Sequence, residues 1–277
     1  MAKRNTNSIN WLERNLPEGL LVDAAWLAAN GYSTSLRSQY VSSGWLTQPA
    51  RRVYQRPRGD ITWQYIVISL QTLLGHDLIA GGQTALELHG YAHYLQTQTS
   101  AVYLYGPKPP PTWLRTLPAG IDFRYRNDAK LFQHQRASTA PHALDPPPDA
   151  AKARPDSIVT IPFGPWIWPL TLSSPERAIL ELLDELPDNE SFHQIDMLME
   201  GLATLSPARL QRLLVDCRNV KVKRLFFFFA DRHRHAWLKR LNRKAIDLGR
   251  GKRNLVKGGR YHPEYLMTLP EDLDGAR

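Results

Sequence analysis

The chain has 277 residues, 43% of them hydrophobic and 22% charged, with a formal net charge of +9. That length supports roughly two or three cored domains, and the composition excludes global disorder. No stretch reaches the ~18 consecutive apolar residues of a membrane helix, the start MAKRNTNSINWLERN has no apolar signal core, and the single cysteine, Cys217, excludes an intramolecular disulfide; together these point to a cytoplasmic protein with no membrane partner.

The charge is unevenly spread. Residues 1–62 carry eight Lys or Arg against four acids, residues 174–200 one Arg against eight acids, and residues 221–262 fourteen Lys or Arg against two acids. A basic head, an acidic middle and a strongly basic segment near the end suggest more than one binding surface, with phosphate backbones or acidic proteins as partners. The plainer reading is a set of solvated faces.

In chain order, Ile9, Leu12 and Leu16 share one helical face, and Pro17 and Gly19 stop that helix. VDAAWLAAN places Val22, Ala25, Trp26 and Ala29 at helical spacing, ended by Asn30-Gly31. TSLRSQYVSSG forms a third helix, capped by Ser33 or Thr34 and ended by Gly44, with Leu36, Tyr40 and Val41 inward. A helix pair joined by a short Gly-containing turn fits a helix-turn-helix. Its second helix leaves Ser35, Arg37, Ser38 and Gln39 outward, where a recognition helix meets base edges. WLTQPARRVYQRPRG then reads as a hairpin wing. Trp45, Leu46 and Val53 face the core, and Arg51, Arg52, Arg56 and Arg58 face out to phosphate. The alternative is a small helical bundle that touches no DNA.

WQYIVISLQTLLG (63–75) reads as a helix, LIAGG (78–82) as a strand and QTALELHG as a helix. VYLYG (102–106) and IDFRY (121–125) alternate like strands, and PPPTWLRTLP between them starts a helix. This order suggests an α/β core. ASTAPHALDPPPDAAKARPDS (137–157) is Pro- and Ala-rich, as a long loop or linker is. IVTIPFGPWIWPLTLSS reads as strands interrupted by prolines.

SPERAILELLDELP is a helix capped by Ser174 with Pro175 in its first turn; Ile179, Leu182, Leu183 and Leu186 form its buried stripe, and Glu181, Asp184 and Glu185 its outer face. FHQIDMLMEGLATL and SPARLQRLLVDC follow as helices, and Ser206-Pro207 repeats the capped start. In VKVKRLFFFFADRHRHAWLKRL, four consecutive Phe cannot share one helical stripe. Either one lies sideways as a contact, or the helix is enclosed on all sides. The loop DLGRGKRNLVKGGRYH (247–262) reads as a cationic turn between strands IDLG and YLMTL.

Chemical motifs are scarce. His89 and His93 lack the Glu of HExxH, and His233 and His235 lie two apart, so no metal site is expected. GRGKRNLVKGGR has neither GxGxxG spacing nor a P-loop GK[ST]. No cofactor and no enzymatic activity are expected.

Three stretches together resemble the AbiEi family of type IV toxin–antitoxin antitoxins, first associated with abortive phage infection: the N-terminal winged-helix segment, SPERAILELLDELPDNESFHQIDMLMEGLATLSPARLQRLLVDC, and VKVKRLFFFFADRHRHAWLKRLN with IDLGRGKRNLVKGGRYHPEYLMTLP. The resemblance implies an α+β protein in two parts, a winged helix-turn-helix (1–62) and a mixed α/β antitoxin domain (63–277). The first would bind inverted repeats in double-stranded promoter DNA, joining the nucleoid and repressing its own operon. The second would neutralise a nucleotidyltransferase-like toxin, with no stable complex required, by acting on the toxin or on its RNA target. Lys223, Arg224, Arg250, Lys252, Arg253, Lys257 and Arg260 are then the candidate antitoxin surface. The competing expectation is a winged-helix transcriptional regulator with a ligand-sensing or oligomerisation domain and no toxin.

Overall fold

The computed structural model describes residues 2–91, 101–118, 120–134, 144 and 156–275. His93 and nearly all of the Pro- and Ala-rich stretch lie outside the described residues.

The head is built as α1 (Ala2–Asn15), β1 (Leu21–Asp23), α2 (Ala24–Ala29), α3 (Thr34–Ser42), β2 (Thr47–Ala50) and β3 (Val53–Gln55). The three strands form an antiparallel sheet in the order β1-β3-β2. Val22 belongs to this sheet rather than to a helix starting at residue 22. The helix begins only after Asp23, whose carboxylate accepts the Trp26 N–H at 2.8 Å. Ser33 caps α3 in the same way, accepting the Leu36 N–H at 3.2 Å. Leu12, Leu16, Leu27, Tyr40, Leu46 and Val53 are buried, whereas Trp45 is 44% exposed, outside the core that the sequence assigns it.

This core continues past residue 62. In α4 (Trp63–Thr72), Ile66, Val67 and Leu70 are fully buried in the same cluster as Leu16 and Val22. That cluster also takes in Val102, Leu104, Trp168 and Leu170. Polar ties follow the same path. The Leu21 N–H donates to Ser69 Oγ at 2.8 Å. Gln71 donates to the carbonyls of Leu78 and Thr171 and accepts the Thr171 N–H at 3.0 Å.

The central sheet contains β4 (Ile79–Ala80), β5 (Ala101–Gly106), β6 (Asp122–Asn127), β7 (Ile158–Phe163) and β8 (Trp168–Ser173), in the order β6-β5-β4-β8-β7. Pairs β5/β6 and β4/β8 are parallel and the other two antiparallel. Strand alternation sends Val102 and Leu104 into the head's core, and Tyr103 and Tyr105 into a different cluster. PPPTWLRTLP yields only a short 3-10 turn at Thr112–Thr116.

Five helices follow on from the strands: α5 (Gly82–Leu88), α6 (Pro175–Asp184), α7 (Phe192–Gly201), α8 (Pro207–Asp216) and α9 (Val220–His233). Ser174 and Ser206 cap α6 and α8, each with proline just inside. Glu181 and Glu185 are buried, not on an outer face, because buried Arg177 and half-buried Arg126 pair with their carboxylates. All four phenylalanines of α9 are buried, at most 6% exposed. Phe226 meets Trp237 at 5.7 Å between ring centroids, and Phe228 meets Tyr265 at 6.0 Å, so the helix is covered on more than one side. The cover near Phe228 includes a small sheet of β9 (Arg253–Asn254), β10 (Arg260–His262) and β11 (Met267–Leu269), in the order β10-β11-β9. IDLG forms no strand; β9 lies inside the basic loop and pairs parallel to β11.

Asp196 joins α7 to α9. Its carboxylate meets His233 Nε2 at 2.7 Å and Arg232 Nε at 3.0 Å. Burial pushes this carboxyl up, but the His233 hydrogen bond and the Arg232 charge outweigh it and hold the pKa below the ordinary range. A depressed folded pKa gives stability that is complete above the unfolded value and is lost as pH falls through the folded one. Asp196→Asn should therefore cost about 1–2 kcal/mol at pH 7. The cost should shrink toward pH 3, as urea melts at the two pH values would measure; an equal cost at both would refute the titrating role.

Candidate functional site

In the head, Ser35, Ser38 and Gln39 stand exposed along α3. Arg37 does not join them. It is buried, and its guanidinium donates to the carbonyls of Ala24 and Tyr32 at 3.1 and 2.9 Å and to Thr34 Oγ1 at 2.9 Å. Its chemistry is spent fixing the turn between α2 and α3, so it positions the exposed residues instead of reaching past them.

Arg51 and Arg52 form the exposed turn between β2 and β3. Arg52 adopts a left-handed φ of 66°, and its carbonyl accepts the Ala24 N–H at 2.8 Å, pinning the turn to the start of α2. Arg58 is also exposed. Arg56 is half-buried and turned back to α1, with Glu18 Oε1 at 3.1 Å and Glu13 Oε1 at 3.7 Å. These carboxylates neutralise it, so the outward cationic set is Arg51, Arg52 and Arg58. A cleft of about 400 Å³ lies beside the turn, lined by Asp23, Arg51, Arg52, Trp113 and Thr116.

At the other end, Lys223 and Arg224 are buried and do not form a surface. Arg224 Nε donates to the Leu248 carbonyl at 2.7 Å, Nη1 to those of Gly251 and Leu266 at 2.8 and 3.3 Å, and Nη2 to that of Gly249 at 3.1 Å. Burial and the nearby Arg253 draw its pKa below the usual arginine value. The loop thus turns its carbonyls inward onto one guanidinium. Gly259 is required by close approach, since a Cβ there would sit 2.3 Å from the Leu269 carbonyl oxygen. Arg250, Lys252, Arg253, Lys257 and Arg260 remain exposed around this frame. Lys252 Nζ lies 5.0 Å from the centre of the Tyr261 ring, and Tyr261 is 37% exposed.

A third arrangement is hidden from sequence reasoning. Arg177 Nε donates to Glu181 Oε1 at 2.7 Å and its Nη2 to Asp128 Oδ2 at 3.4 Å. Glu181 also accepts the Gly82 N–H at 2.9 Å and the Ser173 hydroxyl at 2.8 Å. Burial pushes the Glu181 carboxyl up, against the pull of Arg177 and these donors. The only sequence signal is the i,i+4 spacing of Arg177 and Glu181. Every member is buried and hydrogen-bonded, which is the pattern of a structural clamp.

Among the described residues, no three His, Cys, Asp or Glu side chains gather as a metal site requires. Cys217 is buried, and burial pushes its thiol up to about 11, away from nucleophile chemistry. Among the described residues, no helix is long and apolar enough to cross a membrane.

Residues 99–270 match the family described as "Transcriptional regulator, AbiEi antitoxin, Type IV TA system". Residues 5–97 match "Transcriptional regulator, AbiEi antitoxin N-terminal domain". No curated protein matches the sequence. The crystal structure of the RV2827C protein from Mycobacterium tuberculosis shares the fold, with a TM-score of 0.54 at 17% identity over 95% of this chain and 89% of that one.

Proposed function

Because the chain belongs to the AbiEi family of type IV toxin–antitoxin transcriptional regulators, we propose that α3 and the β2–β3 turn bind inverted repeats in its own promoter, and that the C-terminal part neutralises a cognate nucleotidyltransferase-like toxin. The observation that carries the DNA reading is the pairing of exposed Ser35, Ser38 and Gln39 on a capped helix with the exposed Arg51 and Arg52 of the adjoining hairpin turn. The element order α1-β1-α2-α3-β2-β3 is read as a winged helix-turn-helix. The helix residues supply hydrogen-bonding groups for base edges in the major groove, and the wing arginines supply charge for the flanking phosphates. Arg37 keeps the angle between the two helices. Two half-sites imply two copies on the DNA.

Neutralisation is assigned to the exposed cations Arg250, Lys252, Arg253, Lys257 and Arg260, held in place by buried Arg224. No catalytic role is assigned to any residue.

The full chain is the right object for the test. Arg51→Ala/Arg52→Ala should lower the log–log salt slope of promoter binding by about two units and relieve repression, while cells stay protected from the neighbouring toxin. Gln39→Ala should cut the preference for operator over random duplex by about tenfold. Promoter binding by the double-arginine variant with an unchanged salt slope would refute the wing assignment. Failure of the unaltered chain to protect cells would refute the antitoxin assignment.

A further inference from the structure

We infer that the basic loop face, Arg250 to Tyr261, binds single-stranded RNA directly. The inference deepens the neutralisation reading by naming the partner of that face, and rests on it only for the biological consequence; the binding itself stands on the geometry.

Charge gives the first argument. From residue 234 to 262 the sequence has ten Lys or Arg and one acid, Asp247. Asp247 Oδ1 accepts the Gly249 N–H at 2.8 Å, so that carboxylate is engaged within the loop. Arg234, Lys239, Arg240 and Lys244 are exposed in addition to the cations of the loop. A solvated face normally mixes both signs. A segment this unbalanced suits a polyanion.

Preorganisation gives the second. Arg224 gathers the loop carbonyls of Leu248, Gly249 and Gly251, as well as that of Leu266, on the inner side. Negative backbone dipole is thereby withdrawn from the outer side, where the side-chain cations stand. The Leu255 N–H is fixed on Thr268 Oγ1 at 2.9 Å, which ties the middle of the loop to β11. Binding to a loop held in this way loses little conformational entropy.

The third argument separates RNA from protein and from duplex DNA. A stable protein interface has an apolar core. Among the described residues the exposed large hydrophobics are Trp45, Trp166, Ile167, Met197, Val215 and Tyr261, and of these Tyr261 alone lies in the Arg250–Tyr261 loop. A lone exposed aromatic beside a lysine is what a base-stacking site on a single strand uses. The Arg250–Tyr261 face contains no α-helix to enter a major groove. Single strands in a cell are overwhelmingly RNA.

The test uses the full chain and a fluorescein-labelled 12-nucleotide oligouridylate, with the 12-nucleotide deoxy counterpart and a random DNA duplex alongside, read by anisotropy across salt. The charged side chains to be removed are exposed, and a thermal melt checks that each variant is folded. Arg250→Ala/Lys252→Ala/Arg253→Ala/Lys257→Ala should lower the salt slope for the oligouridylate by about three units, at ~0.7 per phosphate for a single strand. Tyr261→Ala should weaken binding about tenfold with the slope unchanged. Arg51→Ala/Arg52→Ala should leave oligouridylate binding as it was. Undiminished binding by the fourfold variant would overturn the inference, as would its loss in the wing variant, or a preference of this face for duplex. None of these outcomes depends on toxin rescue, so failure here and failure of the antitoxin reading are told apart.

Discussion

Arg177→Met should destabilise the fold by about 3–5 kcal/mol, the cost of removing one partner from a buried ion pair. Arg177 and Glu181 are 4% and 0% exposed, and Asp128 is 7% exposed. Glu181 would keep its contacts to the Gly82 N–H and the Ser173 hydroxyl, but the cation that compensates it would be gone. Asp128 would lose its contact to Arg177 at the same time. The side chain also packs its guanidinium over the Phe132 ring at 4.5 Å, a contact that methionine retains only in part. Because Gly82 starts α5 and Ser173 ends β8, the damage spreads to the junction of sheet and helices. Adding Glu181→Gln should restore part of the loss, since the uncompensated charge is then removed. Urea unfolding of parent, single and double variants measures this. A loss below ~1 kcal/mol in the single variant, or a double variant no better than the single, would remove the clamp from the account.

The second large effect concerns Arg224. Its guanidinium serves four carbonyls from two segments, Leu248–Gly251 and Leu266. Arg224→Met leaves those acceptors to water or unpaired, at a cost of about 2–4 kcal/mol given the charge-assisted bonds lost. Arg224→Lys should recover little, because an ammonium on a flexible stem cannot reproduce a planar fork with donors in several directions. The observable is local: amide exchange at Gly249 and Gly251 should accelerate in both variants while α4 remains protected. Protection equal to the parent in Arg224→Lys would show that charge alone, not the fork, holds the loop.

What sequence shows well here is local chemistry. Ser174-Pro175, Ser206-Pro207 and the Ser33 cap announce their helices because a cap and a first-turn proline act within four residues. The hairpin at Arg51-Arg52 and the strands at 101–106 and 122–127 are legible from alternation. β1 is not, because a three-residue strand is defined by its partner β3, some thirty residues away. The charges misplaced outward, Arg37, Glu181, Glu185 and Arg224, share one cause. Periodicity assigns charge to solvent, yet each has a set of tertiary partners that a single helix cannot reveal. The Phe run has the same cause in apolar form: enclosure by Trp237 and Tyr265 depends on segments that lie later in the chain. Among the candidate contacts, Ser35, Ser38, Gln39, Arg51, Arg52, Arg58 and the five loop cations stand where the sequence reading has them, and Arg56, Arg37, Lys223 and Arg224 do not.

The apolar cluster that runs from Leu12 to Leu170, tied by Ser69 to Leu21 and by Gln71 to Thr171, has a mechanical consequence. A head fastened in this way turns only with the body behind it. On the proposed reading, two copies seated on inverted repeats would hold their bodies at a separation set by the DNA, and the pair would work as a ruler. Inserting half a helical turn, about five base pairs, would carry the second body to the opposite side of the duplex, where no swivel at residue 62 could bring it back.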